Sequence, residues 1–172
     1  MNPHHAMQTV SPWVEAHAGL VPAESPVLDV AAGGGRHARF FAARGHKVTA
    51  IDKDVSALGG HTAIEAIQAD LEDGSPWPLE GRRFGAVVVT NYLHRPLFPA
   101  LLAALAPGGA LIYETFARGN EAYGKPDRPD FLLEPNELLA RTLQSCMVVA
   151  FEDTVVVTPK QAVVQRIAAI KA

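Results

Sequence analysis

Short apolar runs alternate with amphipathic stretches along this chain, the pattern of a parallel sheet covered on both faces. Residues 26–30 (PVLDV) predict a first strand. Gly33-Gly34-Gly35 follows, then a helix over residues 36–44 with Ala38, Phe40, Phe41 and Ala42 at helical spacing and Gly45 at its end. Residues 46–52 predict the second strand, and a short helix around residues 55–58 is expected to stop at Gly59-Gly60. Residues 63–70 and 84–90 predict the third and fourth strands, residues 96–106 a helix, and residues 110–116 the fifth strand. Residues 117–131, rich in Gly, Pro and charge, read as a long loop suited to a lid. A helix over residues 134–144 and two β-rich runs, 147–158 and 161–170, close the chain. The Pro159-Lys160 link between those runs is too short for a parallel crossover, so they must pair antiparallel. The expectation is one α/β domain over residues 1–172, a Rossmann-like doubly wound sheet. It is mostly parallel with one antiparallel strand near its C-terminus, and residues 1–20 serve as an N-terminal cap.

Composition narrows the classes. A chain of 172 residues suits one core. A net charge of -3 does not fit a globally basic footprint, so no nucleic-acid partner is expected. The longest apolar region, residues 97–113, is broken by Pro99 and by Pro107-Gly108-Gly109, and no membrane helix is expected. Cys146 stands alone, which excludes an internal disulfide, and it reads as a small buried hydrophobe. With no signal-like apolar leader, cytoplasm is the expected compartment. The seven histidines, His4-His5 among them, form no i, i+4 pair and have no cysteine companions, so no metal site is expected.

Open α/β sheets bind ligands beyond the carboxyl ends of their strands, and the notable residues gather there. Gly33 and Gly35 can let backbone N–H groups approach a ligand, and the helix opening at Arg36 turns its positive dipole end to the same place. Asp52 ends the second strand, where a carboxylate can accept from both ribose hydroxyls. Asp70 ends the third, within reach of an adenine amino group. The residues from Gly33 to Ala38 also satisfy G-x-G-x-x-G/A, a weak dinucleotide signal. Asp29, four residues before Gly33, argues against that reading. A carboxylate inside an apolar strand repels pyrophosphate and attracts an ammonium group. The blander alternative is that Asp29 caps a turn and that the glycines and strand-end acids are turn residues.

Val27-Leu28-Asp29-Val30-Ala31-Ala32-Gly33-Gly34-Gly35 resembles the first motif of the class I S-adenosylmethionine-dependent methyltransferases, V-L-D-x-G-x-G-x-G. Ala50-Ile51-Asp52-Lys53-Asp54, Ala69-Asp70-Leu71-Glu72 and Leu105-Ala106-Pro107-Gly108-Gly109 are similar to later motifs of that family. The stretch from Gly35-Arg36 to Asp52-Lys53 resembles the small tellurite-resistance-type branch. Ala31 departs from the pattern, standing where the family has its first glycine. The resemblance implies S-adenosyl-L-methionine as cofactor and Asp29, Ala31, Gly33, Gly35, Arg36, Asp52, Lys53, Asp70, Leu71 and Asn91 as its contacts. It also implies in-line methyl transfer to a small-molecule acceptor met by the polar turn after the fourth strand, with Tyr92 and His94 as catalytic candidates. Tyr113, Glu114 and Phe116, at the fifth strand's end, are weaker acceptor-side candidates. His94 and Arg95 can instead simply cap the next helix. Two alternatives stay open: a non-catalytic binding module for the same cofactor, and a nicotinamide-dependent oxidoreductase. The acceptor's identity and the oligomeric state are not legible in the sequence.

Overall fold

A computed structural model describes residues 9–172, so His4-His5 and the start of the expected cap lie outside the described residues. Helix α1 (Pro12–His17) opens on Ser11, whose Oγ accepts from the Trp13 and Val14 N–H groups. Strand β1 (Val27–Val30) then leads through the glycine turn into α2 (Arg36–Ala43) and on to β2 (Val48–Asp52) and β3 (Ile64–Gln68). Strand β4 (Phe84–Thr90), helix α3 (Phe98–Ala103) and strand β5 (Leu105–Phe116) complete the parallel part. Helix α4 (Glu137–Thr142) precedes β6 (Cys146–Val156) and β7 (Ala162–Lys171).

The seven strands lie in the order β3-β2-β1-β4-β5-β7-β6. The chain winds outward from β1 to β3, then returns to lay β4 beside β1, which puts the switch point between β1 and β4. Only β7 runs against the others, antiparallel to both β5 and β6. Period-two alternation sorts the side chains into two cores. Leu28, Val30, Val87, Val89, Leu111 and Tyr113 pack under Phe98, Leu101 and Leu138. Val27, Ala86, Val88, Ala110 and Ile112 pack under Trp13, Ala38 and Phe41. Asp29 shares that second face, where every strand neighbour is apolar.

One expectation needs correction. Residues 55–58 form turns, not a helix. Asp54 Oδ1 accepts the Ser56 N–H, and Leu58 N–H reaches only to Val55 O. So short a segment before Gly59-Gly60 lacks the length to repay helix nucleation. The loop over residues 117–131 is more anchored than its composition suggests. Asn120 is buried, donates through Nδ2 to Pro126 O and accepts the Val163 N–H at Oδ1. Ala117 bridges Leu133, so the loop is held to β7 near its start and closed at its base.

Candidate active site

The carboxyl ends of the parallel strands β1 to β5 lie along one edge of the sheet. Asp29 is 2% exposed, and its Oδ2 has no hydrogen-bond partner among the described residues. Burial lifts its carboxyl to about 7, against the pull of the Ala38 amide and of Arg36; Asp52 adds to the rise. Arg36, at the first position of α2, is attracted by Glu114 and then by Asp29, and its Nη1 donates to Thr9 O at 2.8 Å. A buried acid with a free oxygen is costly by itself. It suits a ligand that carries an ammonium and a carboxylate on one carbon.

The turn is shaped for close approach. Ala31, Gly33 and Gly35 all take positive φ, at 54°, 55° and 82°. Gly33 has open space where a Cβ would sit, and its N–H donates to Asp52 Oδ2 at 2.8 Å. Gly35 has a different reason to be glycine, because a Cβ there would strike the Leu58 side chain. Ala31 tolerates a left-handed conformation that is unfavourable for an L-residue. Asp52 Oδ1 also accepts the Asp54 N–H at 3.0 Å, which fixes the carboxylate while leaving acceptor capacity on both oxygens. Asp70 holds the Glu72 N–H at 2.9 Å and lines a cavity of about 290 Å³ with Leu71, Trp77, Pro76 and Leu97. Lys53 meets the site through its backbone, its carbonyl accepting from Gln68 Nε2.

A second cavity, of about 320 Å³, lies past β4 and is lined by Glu72, Asn91, Tyr92, Phe116, Pro126 and Phe131 among others. Asn91 sits at φ 54° and donates its N–H to Glu114 O at 2.9 Å, which turns the chain sharply after β4. Tyr113 does not face this space. It is 1% exposed, stacks on Phe98 and donates its hydroxyl to Tyr92 O, so it supports the turn from beneath. The Tyr92 phenol is held protonated by burial and by Glu72, Asp70 and Asp52. It is therefore a hydrogen-bond donor and not a base. His94 Nδ1 lies 3.6 Å from Glu72 Oε1.

A family model described as a methyltransferase domain matches residues 27–109, the span from β1 to the turn that precedes the buried half of β5. Over this span the chain is similar to methyltransferase domains. It is 30% identical over 122 residues to the ubiquinone biosynthesis O-methyltransferase of Azotobacter vinelandii, covering 64% of this chain and 52% of that protein. The chain thus spans about half the length of this relative. Among solved structures, TehB from Haemophilus influenzae matches with a TM-score of 0.73 at 15% identity, covering 93% of this chain and 61% of that one. The 1,6-didemethyltoxoflavin-N1-methyltransferase of Burkholderia thailandensis, solved with 1,6-didemethyltoxoflavin and S-adenosylhomocysteine, matches with a TM-score of 0.69 at 19% identity. That match covers 94% of this chain and 77% of that one. At such identities the likeness is one of fold.

The residue after His94 has a clear structural task. Arg95 donates through Nε and Nη2 to the Glu137 carboxylate at 2.8 and 2.9 Å, and also to Leu132 O and Asp130 O. Burial pushes Glu137 up, but Arg95, the Glu134 N–H and Arg141 outweigh it and hold the carboxyl at about 2. Arg95→Ala is expected to cost about 2 kcal/mol in urea denaturation, because a half-buried acceptor loses its charged donor. Amide exchange at residues 130–133 should quicken more than in α2. Sequence reasoning missed Glu72, Trp77, Phe131 and Ser11. Trp77 between two prolines just after Asp70 was the available signal; nothing marked Ser11.

Proposed function

We propose that this domain transfers the methyl group of S-adenosyl-L-methionine to a small-molecule acceptor. The observation that carries the reading is the buried Asp29 carboxylate at the glycine turn, its Oδ2 without a hydrogen-bond partner among the described residues. Asp29 receives the cofactor's ammonium and Arg36 its carboxylate. Ala31, Gly33 and Gly35 supply backbone to the methionine part, and Asn91 borders it. Asp52, with Lys53 next to it, takes the ribose hydroxyls, while Asp70 and Leu71 hold the adenine in the cavity that contains Trp77. A dinucleotide pyrophosphate would meet the Asp29 carboxylate instead, which disfavours a nicotinamide enzyme. The names of the O- and N-methyltransferase relatives agree with a small acceptor.

When bound, the cofactor supplies an electrophilic sulfonium methyl. The chain's own residues then need mainly to align two reactants and exclude water, effects worth up to about 7–11 kcal/mol. Tyr92 orients the acceptor as a donor, and His94, two residues further along the same turn, serves as the acceptor-side general base. The domain is expected to bind S-adenosylmethionine and S-adenosylhomocysteine in calorimetry and NAD far more weakly; the reverse order would overturn the assignment. Asp52→Ala should remain folded and lose roughly ten- to 150-fold in affinity for both adenosyl ligands, the equivalent of about 1.5–3 kcal/mol. Unchanged affinity would place the ribose elsewhere.

A further inference from the structure

The cavity past β4 has a one-sided charge distribution. Glu72 is the one acidic side chain on its lining and no Lys or Arg accompanies it, Tyr92 being held as a neutral phenol by burial and by nearby carboxylates. The Asp70 side chain fixes the Glu72 backbone through its N–H, and the Tyr92 hydroxyl and His94 Nδ1 both lie against the Glu72 carboxylate. The loop that forms the far wall contributes no net positive charge, since each of its cations is matched. Arg118 pairs with Glu134, Lys125 with Asp127, and Arg128 with Asp130 while covering the Phe131 ring. Arg95, at the root of the wall, is committed to Glu137. The rest of the lining is uncharged: the apolar Leu93, Phe116, Pro126 and Phe131, with Asn91 and Thr115. A volume of about 320 Å³ falls at the small end of ligand sites.

Resting on the reading above, we infer that this cavity takes a planar, neutral or cationic acceptor whose N–H or O–H donates to Glu72, and that Glu72 excludes anionic acceptors. A carboxylate, phosphate or oxyanion would enter beside Glu72, Asp70 and Asp52, and no Lys or Arg lines the cavity to receive it. Specificity of this kind comes from repulsion as much as from attraction. A flat ring between Phe116 and Phe131 is retained by apolar burial, and its donor finds the Glu72 oxygen.

A charge series on one ring tests this in the full chain: 4-methylcatechol, dopamine and 3,4-dihydroxybenzoate, neutral, cationic and anionic at pH 7.5. Binding of each is measured by calorimetry, with and without saturating S-adenosylhomocysteine. Dopamine and 4-methylcatechol should bind at least about tenfold more tightly than the benzoate, as expected for a like charge at a partly screened site. Glu72→Gln should bring the three within about threefold of one another, and Glu72→Asp should restore the order. Equal or tighter binding of the benzoate by the wild type overturns the inference. So does an unchanged order in Glu72→Gln, and so does failure of all three probes to bind. Failure of S-adenosylhomocysteine to bind overturns the cofactor reading instead, and the series in unliganded protein still reads the cavity.

Discussion

At pH 8, Asp29→Asn is expected to stabilise the unliganded domain by up to about 4 kcal/mol while weakening S-adenosylmethionine binding by roughly ten- to 150-fold. Folding buries this carboxylate in an apolar face with one oxygen unpartnered. Its carboxyl rises from 3.8 to about 7, with burial the largest cause. At 1.36 kcal/mol per unit that rise corresponds to about 4 kcal/mol. The sign follows from linkage: between those values the folded state binds more protons than the unfolded one, so stability falls as pH rises. The advantage of the protonated form is complete below pH 3.8 and lost as pH passes about 7. Asn cannot ionise and still offers an acceptor to the Ala38 amide. The difference between variant and wild type, measured by urea denaturation, should therefore grow from near zero at pH 4 to its maximum at pH 8. A difference that does not change with pH would sink the argument. Binding reverses the balance, because the ligand's ammonium supplies the counter-charge that the empty fold lacks. Wild-type affinity should consequently fall about tenfold per pH unit below pH 7, and that of Asp29→Asn should not.

The parallel half of the fold was legible because it rests on local signals. Apolar runs broken by glycine and proline marked β1, β2, β4 and β5, and the two-residue link before β7 required its reversal. The proposed cofactor residues Asp29, Gly33, Asp52 and Asp70 could be singled out for a related reason: they lie at fixed offsets from strand ends. What stayed hidden depends on contacts between distant residues. Gly35 owes its identity partly to Leu58, which the sequence places more than twenty positions away. Arg95 looked like a helix cap, yet it clamps Glu137, Leu132 and Asp130 on the loop wall. Tyr113 looked like an acceptor contact from its place at a strand end. Its side chain falls on the closed face of the sheet, and only its hydroxyl touches the Tyr92 backbone. Ser11 gave no signal, although it joins the N-terminal segment to His37 and, through Oγ, to Glu114.

His37 sets the acid limit of the fold. The Ser11 N–H donates to His37 Nε2 at 3.0 Å, so that nitrogen must be the unprotonated one. The proton then resides on Nδ1, 3.4 Å from the Thr90 hydroxyl. Protonating Nε2 would set two donors against each other in a buried site. Burial first, and then the Arg36 charge, lower the imidazole from 6.5 to about 3. For a base whose folded value is depressed, the stabilisation is present above pH 6.5 and is lost as pH falls toward 3. At pH 4 that loss amounts to about 3 kcal/mol. Asp29 titrates across much of the same window in the opposite direction, so the two slopes largely cancel in the wild type. Asp29→Asn should uncover the acid slope. Adding His37→Gln, whose amide oxygen can still accept from Ser11, should abolish it. Urea denaturation of the single and double variants between pH 7 and pH 4 reads this directly. Loss of packing in His37→Gln would shift both ends of the curve equally, whereas removal of the titration flattens it. A double variant that still loses about 3 kcal/mol on acidification would mean that another group sets the limit and that the strap over α2 is held independently of the His37 proton.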